Sequence, residues 1–166
     1  MIRTIFKGAT ALAFAVTFAA PLAAQTPGLP LGTQAPEVRV QTIDGKPVWL
    51  SSQYGKGPVL IEFWATWCPN CKALEPQMAA AAKKYKGKIA MIGVAVGVNQ
   101  SAELVKAYAT KHGLPLTVVY DKNGEAADKF DVPATSHIVV LNAQGRVIYS
   151  GVGADQDIDA AIRRAL

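Results

Sequence analysis

Cys68 and Cys71, the only two cysteines of the chain, are separated by two residues. They follow an apolar run, residues 59–64, that is typical of a buried strand, and they open a helical pattern. A helix N-terminus offers free N–H groups and a partial positive charge, which favour thiolate over thiol. This arrangement predicts a redox dithiol that exchanges disulfides. A structural disulfide and two inert buried thiols are the alternatives, whereas two cysteines are too few for a four-thiolate zinc site.

An acidic residue, Glu62, lies inside the apolar run, six residues before Cys68. Burying a carboxylate between Ile61 and Phe63 costs free energy unless the group is protonated or paired. Desolvation raises the pKa of such a group, which would let Glu62 accept the proton of Cys71 when that thiol attacks. We therefore interpret Glu62 as catalytic. The alternative is a solvated carboxylate at the edge of the sheet.

The first 24 residues are typical of a secretory signal. Arg3 and Lys7 precede an apolar, alanine-rich run, residues 8–20, which is shorter than the roughly 20 residues of a membrane-spanning helix. Cleavage after Ala24 is expected, and an uncleaved anchor, the one case with a membrane contact, is the alternative. Both predict export, with the periplasm as the expected compartment. An oxidising compartment allows a disulfide to persist.

The rest of the chain is expected to form one domain, residues 37–166, behind a proline- and glycine-containing linker, residues 25–36. Loss of the signal lowers the formal charge from +5 to +3, a mild basic excess that does not indicate a nucleic-acid partner. The lysines that do cluster lie at the end of a helical pattern, where they complement the helix dipole. They are Lys83, Lys84, Lys86 and Lys88.

Strand and helix patterns alternate along the domain. Strands are predicted at residues 38–42, 48–50, 59–64, 89–96, 116–120, 137–141 and 146–149. Helices are predicted at residues 71–86, 102–112, 124–130 and 155–166, the first kinked at Pro76. This order, closed by a hairpin, predicts an α/β fold with a mixed central sheet flanked by helices.

Residues 59–71 (VLIEFWATWCPNC), followed by Leu74, Glu75 and Pro76, resemble thioredoxin-fold proteins of the TlpA/ResA type. The resemblance extends from about residue 34 to the C-terminus. It implies a thioredoxin-like fold with an N-terminal β-hairpin and an inserted strand–helix unit. It also implies an exported thiol-disulfide oxidoreductase that reduces or exchanges disulfides of partner proteins and draws on an upstream electron donor. No cofactor is implied beyond the redox-active disulfide.

The resemblance also assigns roles around the cysteines. Cys68 is expected to be the exposed attacking thiolate, and Cys71 the thiol that resolves the mixed disulfide. Trp67 and Pro69 are expected to contact the substrate at an apolar rim.

The family's cis-proline, which faces the cysteines, is replaced here. Counting back from residues 142–145 places Ser136 at that position, while Pro133 comes three residues earlier. A cis bond before serine would cost roughly 3 kcal/mol, so a trans bond is expected. Thr135 and Ser136 are still expected to present their backbone to the substrate chain.

His137, beside the missing proline, offers an alternative function. Two thiolates and an imidazole are ligands that hold copper(I) or zinc. If His137 turned towards Cys68 and Cys71, the chain could be a copper(I)-handling protein. The competing interpretation of His137 is a ring packed on one face of the sheet.

Overall fold

The structure is a computed structural model that describes residues 26–53 and 57–166. The predicted signal, residues 1–24, therefore lies outside the described residues. The strands are β1 (Arg39–Thr42), β2 (Pro47–Trp49), β3 (Val59–Trp64), β4 (Ala90–Val96), β5 (Thr117–Asp121), β6 (His137–Leu141) and β7 (Val147–Val152). The helices are α1 (Pro69–Lys84), α2 (Ala102–His112), α3 (Glu125–Lys129) and α4 (Ile158–Arg163), with a 3₁₀ turn at Leu50–Gln53.

The strands form one mixed sheet in the order β2-β1-β5-β4-β3-β6-β7. β3 pairs in parallel with β4, and β4 with β5, whereas β6 runs antiparallel to β3. The N-terminal hairpin joins this sheet through an antiparallel pairing of β1 with β5. The predicted thioredoxin-like α/β fold is confirmed, and β3 lies inside the sheet rather than at its edge.

Local signals in the sequence explain where the helices begin and end. α2 starts after Ser101, whose side chain accepts a hydrogen bond from the Leu104 N–H, and it ends at Gly113 with φ 58°. α4 starts at Ile158, three residues later than predicted. The reason is that Asp157 supplies the cap, its carboxylate accepting the Ala160 N–H at 2.8 Å.

The two faces of the sheet bury different clusters. One face packs against α1 and α4 and contains Leu60, Leu74, Met78, Ile138, Ile158 and Ile162. Ile61, Phe63, Phe130 and Val139 belong to the other cluster. Because neighbouring residues of a strand point to opposite faces, Glu62 shares the face of Leu60, and His137 the face of Val139. The sheet therefore separates Glu62 from His137.

Residues 26–36, expected to be a linker, pack on the β6–β7 hairpin. The Gly32 N–H donates to the Val147 carbonyl at 2.7 Å, and the Val147 N–H donates to the Thr33 carbonyl at 2.9 Å. Ala35 is buried, and its N–H donates to the Gly145 carbonyl. The linker prediction is wrong for these residues, because irregular backbone rich in proline and glycine still satisfies its hydrogen bonds on the domain.

Candidate active site

The two cysteines form a disulfide at the start of α1. Cys68 is the N-cap residue, and its Sγ accepts a hydrogen bond from the Cys71 N–H at 3.1 Å. Pro69 follows at the first helical turn, where the missing N–H costs nothing. Only 2% of Cys68 and 5% of Cys71 is exposed. The expectation of an exposed Cys68 is therefore wrong for the disulfide form, because its sulfur folds back onto the first turn of α1.

Trp67 is exposed and at the same time fixed in place. This residue directly precedes Cys68 and is 46% exposed. Its indole N–H donates to the Val98 carbonyl at 2.9 Å. The neighbouring Thr66 donates from both its N–H and its hydroxyl to Gln100 Oε1 at 2.9 Å. The loop after β4 thus holds the loop before the cysteines. Trp67 and the exposed Pro69 flank the disulfide from the surface.

Glu62 is buried beneath α1, with 5% of its surface exposed. Burial, reinforced by the negative charge of Glu75, raises the pKa of Glu62 from 4.5 to about 8. The solvated edge carboxylate considered from the sequence is thereby ruled out. A carboxyl group with this pKa holds a proton at neutral pH and can release it to a neighbouring thiolate.

Ser136 is buried and internally bonded. The peptide bond before it is trans, as expected, and its φ is 65°. Its N–H donates to the Phe63 carbonyl at 2.9 Å, and its carbonyl accepts from Gln156 Nε2 at 3.0 Å. Its hydroxyl accepts the Gly153 N–H at 3.1 Å. The prediction that Ser136 offers its backbone to a substrate is therefore wrong, since both backbone groups are already paired; half-buried Thr135 keeps that role as a prediction.

His137 does not join the cysteines. Its ring is fully buried, and its Nε2 lies 2.7 Å from Ser150 Oγ, which in turn donates to the Pro27 carbonyl. Since the hydroxyl donates to Pro27, it accepts from Nε2–H, which leaves Nδ1 as an unpartnered buried acceptor. Gly28 lies so close to this ring that a Cβ there would collide with it. His137 thus fixes the N-terminal segment, as the packed-ring interpretation implies, and the alternative copper(I) site with Cys68 and Cys71 is not formed.

Comparison with known proteins agrees with this geometry. The family model described as Redoxin matches residues 30–166. The chain belongs to the Redoxin family. It is 34% identical over 117 residues to the thiol-disulfide oxidoreductase ResA of Bacillus subtilis (strain 168), covering 70% of this chain and 64% of ResA. It is 33% identical over 119 residues to the thioredoxin-like protein YneN of the same organism, covering 71% and 69%. The resemblance to ResA-type proteins is confirmed.

Solved structures show the same fold for this Redoxin-family chain. A thiol:disulfide interchange protein of the thioredoxin family from Chlorobium tepidum TLS superposes with a TM-score of 0.67 at 27% identity, covering 86% of this chain and 97% of that one. A secreted Mycobacterium tuberculosis disulfide oxidoreductase, homologous to E. coli DsbE, superposes with a TM-score of 0.64 at 23% identity, covering 77% and 94%. The second likeness shows the fold alone.

Neither a metal centre nor a membrane-spanning helix is present in residues 26–53 and 57–166 of this Redoxin-family protein. That part of the chain contains no group of three or more histidine, cysteine, aspartate or glutamate side chains placed to hold a metal ion. Nor does any helix there have the length and apolarity to cross a bilayer.

Several residues of the site carried no usable signal in the sequence. Gln100 and Gln156 are single polar residues in loops, and only the tertiary structure reveals the carbonyls and hydroxyls that they bind. His112 lies at the end of α2, where a favourable place beside the helix dipole is all that its sequence position indicates, yet its ring stacks on Tyr108 at 3.9 Å. Glu75 belongs to the motif that resembles the family, which by itself assigns it no role. Its spacing of four residues from Cys71 could have placed it on the same side of α1.

Proposed function

We propose that this protein is an exported thiol-disulfide oxidoreductase that reduces or exchanges disulfides on partner proteins through Cys68 and Cys71. The observation that carries the proposal is the Cys68–Cys71 pair at the N-terminus of α1, directly after the buried strand β3. Similarity to ResA supports it, although the chain spans only 64% of ResA's length. The dithiol carries the two electrons itself, so no further cofactor is required.

In the reductive direction, the reaction begins with Cys68. Its thiolate attacks one sulfur of a substrate disulfide, so that a Cys68–substrate S–S bond forms and the substrate S–S bond breaks. The first substrate sulfur departs as a thiolate and takes a proton from water. The N–H groups at the start of α1 stabilise the Cys68 thiolate before this attack.

Resolution of the mixed disulfide belongs to Cys71 and Glu62. Cys71 gives its proton to the Glu62 carboxylate and attacks Cys68 Sγ, which expels the second substrate thiolate and restores the intramolecular disulfide. Two electrons have then passed from the dithiol to the substrate. An upstream dithiol protein must return them.

The same carboxyl group serves the reverse step. When an incoming thiolate attacks Cys68 Sγ in the disulfide, Cys71 leaves as a thiolate and takes a proton from Glu62. A pKa of about 8 favours the protonated carboxyl in this disulfide form at neutral pH, which suits a proton donor. Burial therefore keeps Glu62 protonated, so that it can donate a proton to Cys71 when the disulfide opens.

The substrate side of the proposal rests on exposure and on sequence. Trp67 and Pro69 lie at the surface beside the disulfide and would contact the partner protein, with Thr135 supplying backbone contacts. The signal-like residues 1–24 support export, and the periplasm is the proposed compartment. The substrate would be an extracytoplasmic protein with a reducible disulfide.

The reduction potential of the pair tests the direction of electron flow. The mature domain is equilibrated in dithiol buffers of known potential, with the fluorescence of Trp67 as reporter. A value near or below about −220 mV indicates a reductase with a dedicated electron supply, and one near about −120 mV indicates an oxidant. A pair that does not titrate reversibly contradicts the proposal.

Trapping separates the roles of the two cysteines. Cys71→Ala should accumulate the mixed disulfide between Cys68 and a model disulfide peptide, because attack proceeds and resolution does not. Cys68→Ala should give no adduct. Mass spectrometry after acid quenching measures both variants, and equal adduct in the two would refute the assignment of Cys68 as nucleophile.

A further inference from the structure

A polar cluster joins α1, the helix that starts at the disulfide, to α2. The Tyr108 hydroxyl donates to Glu75 Oε1 at 2.7 Å, and His112 Nδ1 lies 3.5 Å from Glu75 Oε2. The rings of Tyr108 and His112 stack at 3.9 Å, with 10° between their planes. Two side chains of α2 thus fix the position of one carboxylate of α1.

This cluster lies above the face of β3 that carries Glu62. Trp64 is two residues from Glu62 and shares its face, and the Trp64 ring packs on Tyr108 at 5.7 Å. Glu75 follows Cys71 by one helical turn and therefore lies on the same side of α1. Glu75 is part-exposed, with 31% of its side chain accessible, whereas Glu62 is buried. The cluster thus lies on the Glu62 side of the sheet and reaches solvent at Glu75.

We propose that Glu75, held by Tyr108 and His112, is a positioning residue whose negative charge keeps the proton on Glu62 and so sets the pH at which the Cys71 step runs. The inference rests on the proposed role of Glu62 and deepens it. Charge on Glu75 is the second cause, after burial, of the raised pKa of Glu62. Burial first, and then the hydrogen bond to Glu75 and the charges of Glu75 and Glu62, raise the pKa of Tyr108.

The charged and titratable groups of this cluster come from two helices. α1 contributes Glu75 and Lys72, whose Nζ lies 6.0 Å from the Tyr108 ring. α2 contributes Tyr108 and His112. The strand neighbours of Glu62, Gly93 on β4 and Ile138 on β6, carry no charge. Within this cluster, Glu75 is therefore the anionic group that opposes ionisation of Glu62.

The test measures the proton on Glu62 without any catalysis. The oxidised protein is labelled with ¹³C at glutamate carboxyl carbons, and the Glu62 resonance is followed against pH. Glu75→Gln removes the charge at nearly constant shape, so the Glu62 midpoint should fall by about one pH unit. Glu103→Gln, the same change at an exposed position of α2, is the matched control and should leave the midpoint unchanged.

A second pair of variants tests charge with Glu75 in place. His112→Lys puts a permanent cation beside Glu75 and should lower the Glu62 midpoint, whereas the neutral His112→Gln should not. Tyr108→Phe, which removes the hydroxyl that holds Glu75, should give a smaller fall and serves if Glu75→Gln does not fold. The proposal is overturned if the Glu62 midpoint is unchanged in Glu75→Gln and also in His112→Lys. If Glu75→Gln does not fold, Tyr108→Phe takes its place in this comparison.

Exchange kinetics then distinguish this inference from the function on which it rests. With the coupling present, the pH profile of mixed-disulfide resolution should move by the same amount and in the same direction as the Glu62 midpoint. If the midpoint moves in Glu75→Gln while the resolution profile stays fixed, the coupling exists but Glu62 is not the proton acceptor. That result refutes the claim that Glu75 sets the pH of the Cys71 step, and it also refutes the assignment of Glu62 in the proposed mechanism.

Discussion

Glu62 and His137 are two buried ionisable residues on adjacent strands, one register step apart, and the structure uses them in opposite ways. Glu62 lies opposite Ile138, and Phe63 lies opposite His137, so the two side chains point to opposite faces of the sheet. Burial and the Glu75 charge raise the pKa of Glu62 to about 8, while burial lowers the pKa of His137 to about 4. Each group is thereby kept neutral near pH 7.

The difference lies in what surrounds each neutral group. His137 is bonded to Ser150 and covered by Gly28, so it holds the N-terminal segment in place. Glu62 lies beneath the helix that starts at the disulfide and couples electrostatically to part-exposed Glu75. Burial alone therefore does not identify a functional group. What sets Glu62 apart from His137 is its place beneath the helix that carries the disulfide and its electrostatic coupling to Glu75.

The largest expected effect is on the chemistry of Glu62. Glu62→Gln keeps the shape but cannot accept the proton of Cys71, so resolution of the mixed disulfide should slow by about 100-fold or more. The first attack by Cys68 should change little. Rapid acid quenching with mass spectrometry follows both steps. Equal slowing of both would show that Glu62 acts on the site as a whole rather than on Cys71.

Glu62 and His137 should contribute to the pH dependence of the unfolding free energy with opposite signs. Between about pH 4.5 and 8 the folded oxidised protein holds the Glu62 proton more tightly than the unfolded chain, so the free energy of unfolding falls as pH rises, by on the order of 5 kcal/mol. For His137 the unfolded chain binds the proton more tightly, so stability is lost as pH falls from 6.5 to about 4.

Urea unfolding of the oxidised protein at a series of pH values measures these two slopes. In Glu62→Gln the decline towards pH 8 should disappear while the acid loss remains. A wild-type decline that persists unaltered in Glu62→Gln would mean that another group causes it.

Replacing His137 should affect stability and spare the chemistry. His137→Ala leaves a cavity and removes the partner of Ser150, which should cost about 3 kcal/mol of unfolding free energy. Ser150→Ala, which removes one hydroxyl, should cost about 1 kcal/mol. Urea titration gives both values. The rate of thiol-disulfide exchange by the folded fraction should match that of the wild type. A specific loss of exchange in His137→Ala would show that His137 takes part in the chemistry.

A smaller effect than that of His137→Ala is expected in the loop that precedes His137. Gln156→Ala removes the donor that pairs with the carbonyls of Ser136 and Gly153, and it should cost about 1–2 kcal/mol. If this clamp also aligns Thr135 for substrates, KM for a disulfide peptide should rise while the rate of resolution is unchanged. Gln144→Ala, at an exposed position of the β6–β7 turn, is the control.

Much of the site could be predicted from the sequence because its signals are local. The Cys68–Cys71 spacing, the apolar run before it and the helix after it act within about a dozen residues, and burial of Glu62 follows from its place in that run. The burial of Cys68 could not be predicted, because it depends on the direction in which the closed disulfide turns the sulfur. The position of His137 depended on strand register and on a segment more than 100 residues away in the chain.

The sequence by itself determined the α/β class, the bounds of most strands and helices, the redox pair and the family, since periodicity, caps and short motifs are properties of neighbouring residues. Only the tertiary structure decided that the N-terminal hairpin joins the sheet through β5, that residues 26–36 pack on β7, and that Gln156 closes the Ser136 loop. It also brought Glu75, Tyr108 and His112 together from two helices. Such contacts depend on which unpaired polar groups meet after the sheet and helices have packed, and that pairing is non-local.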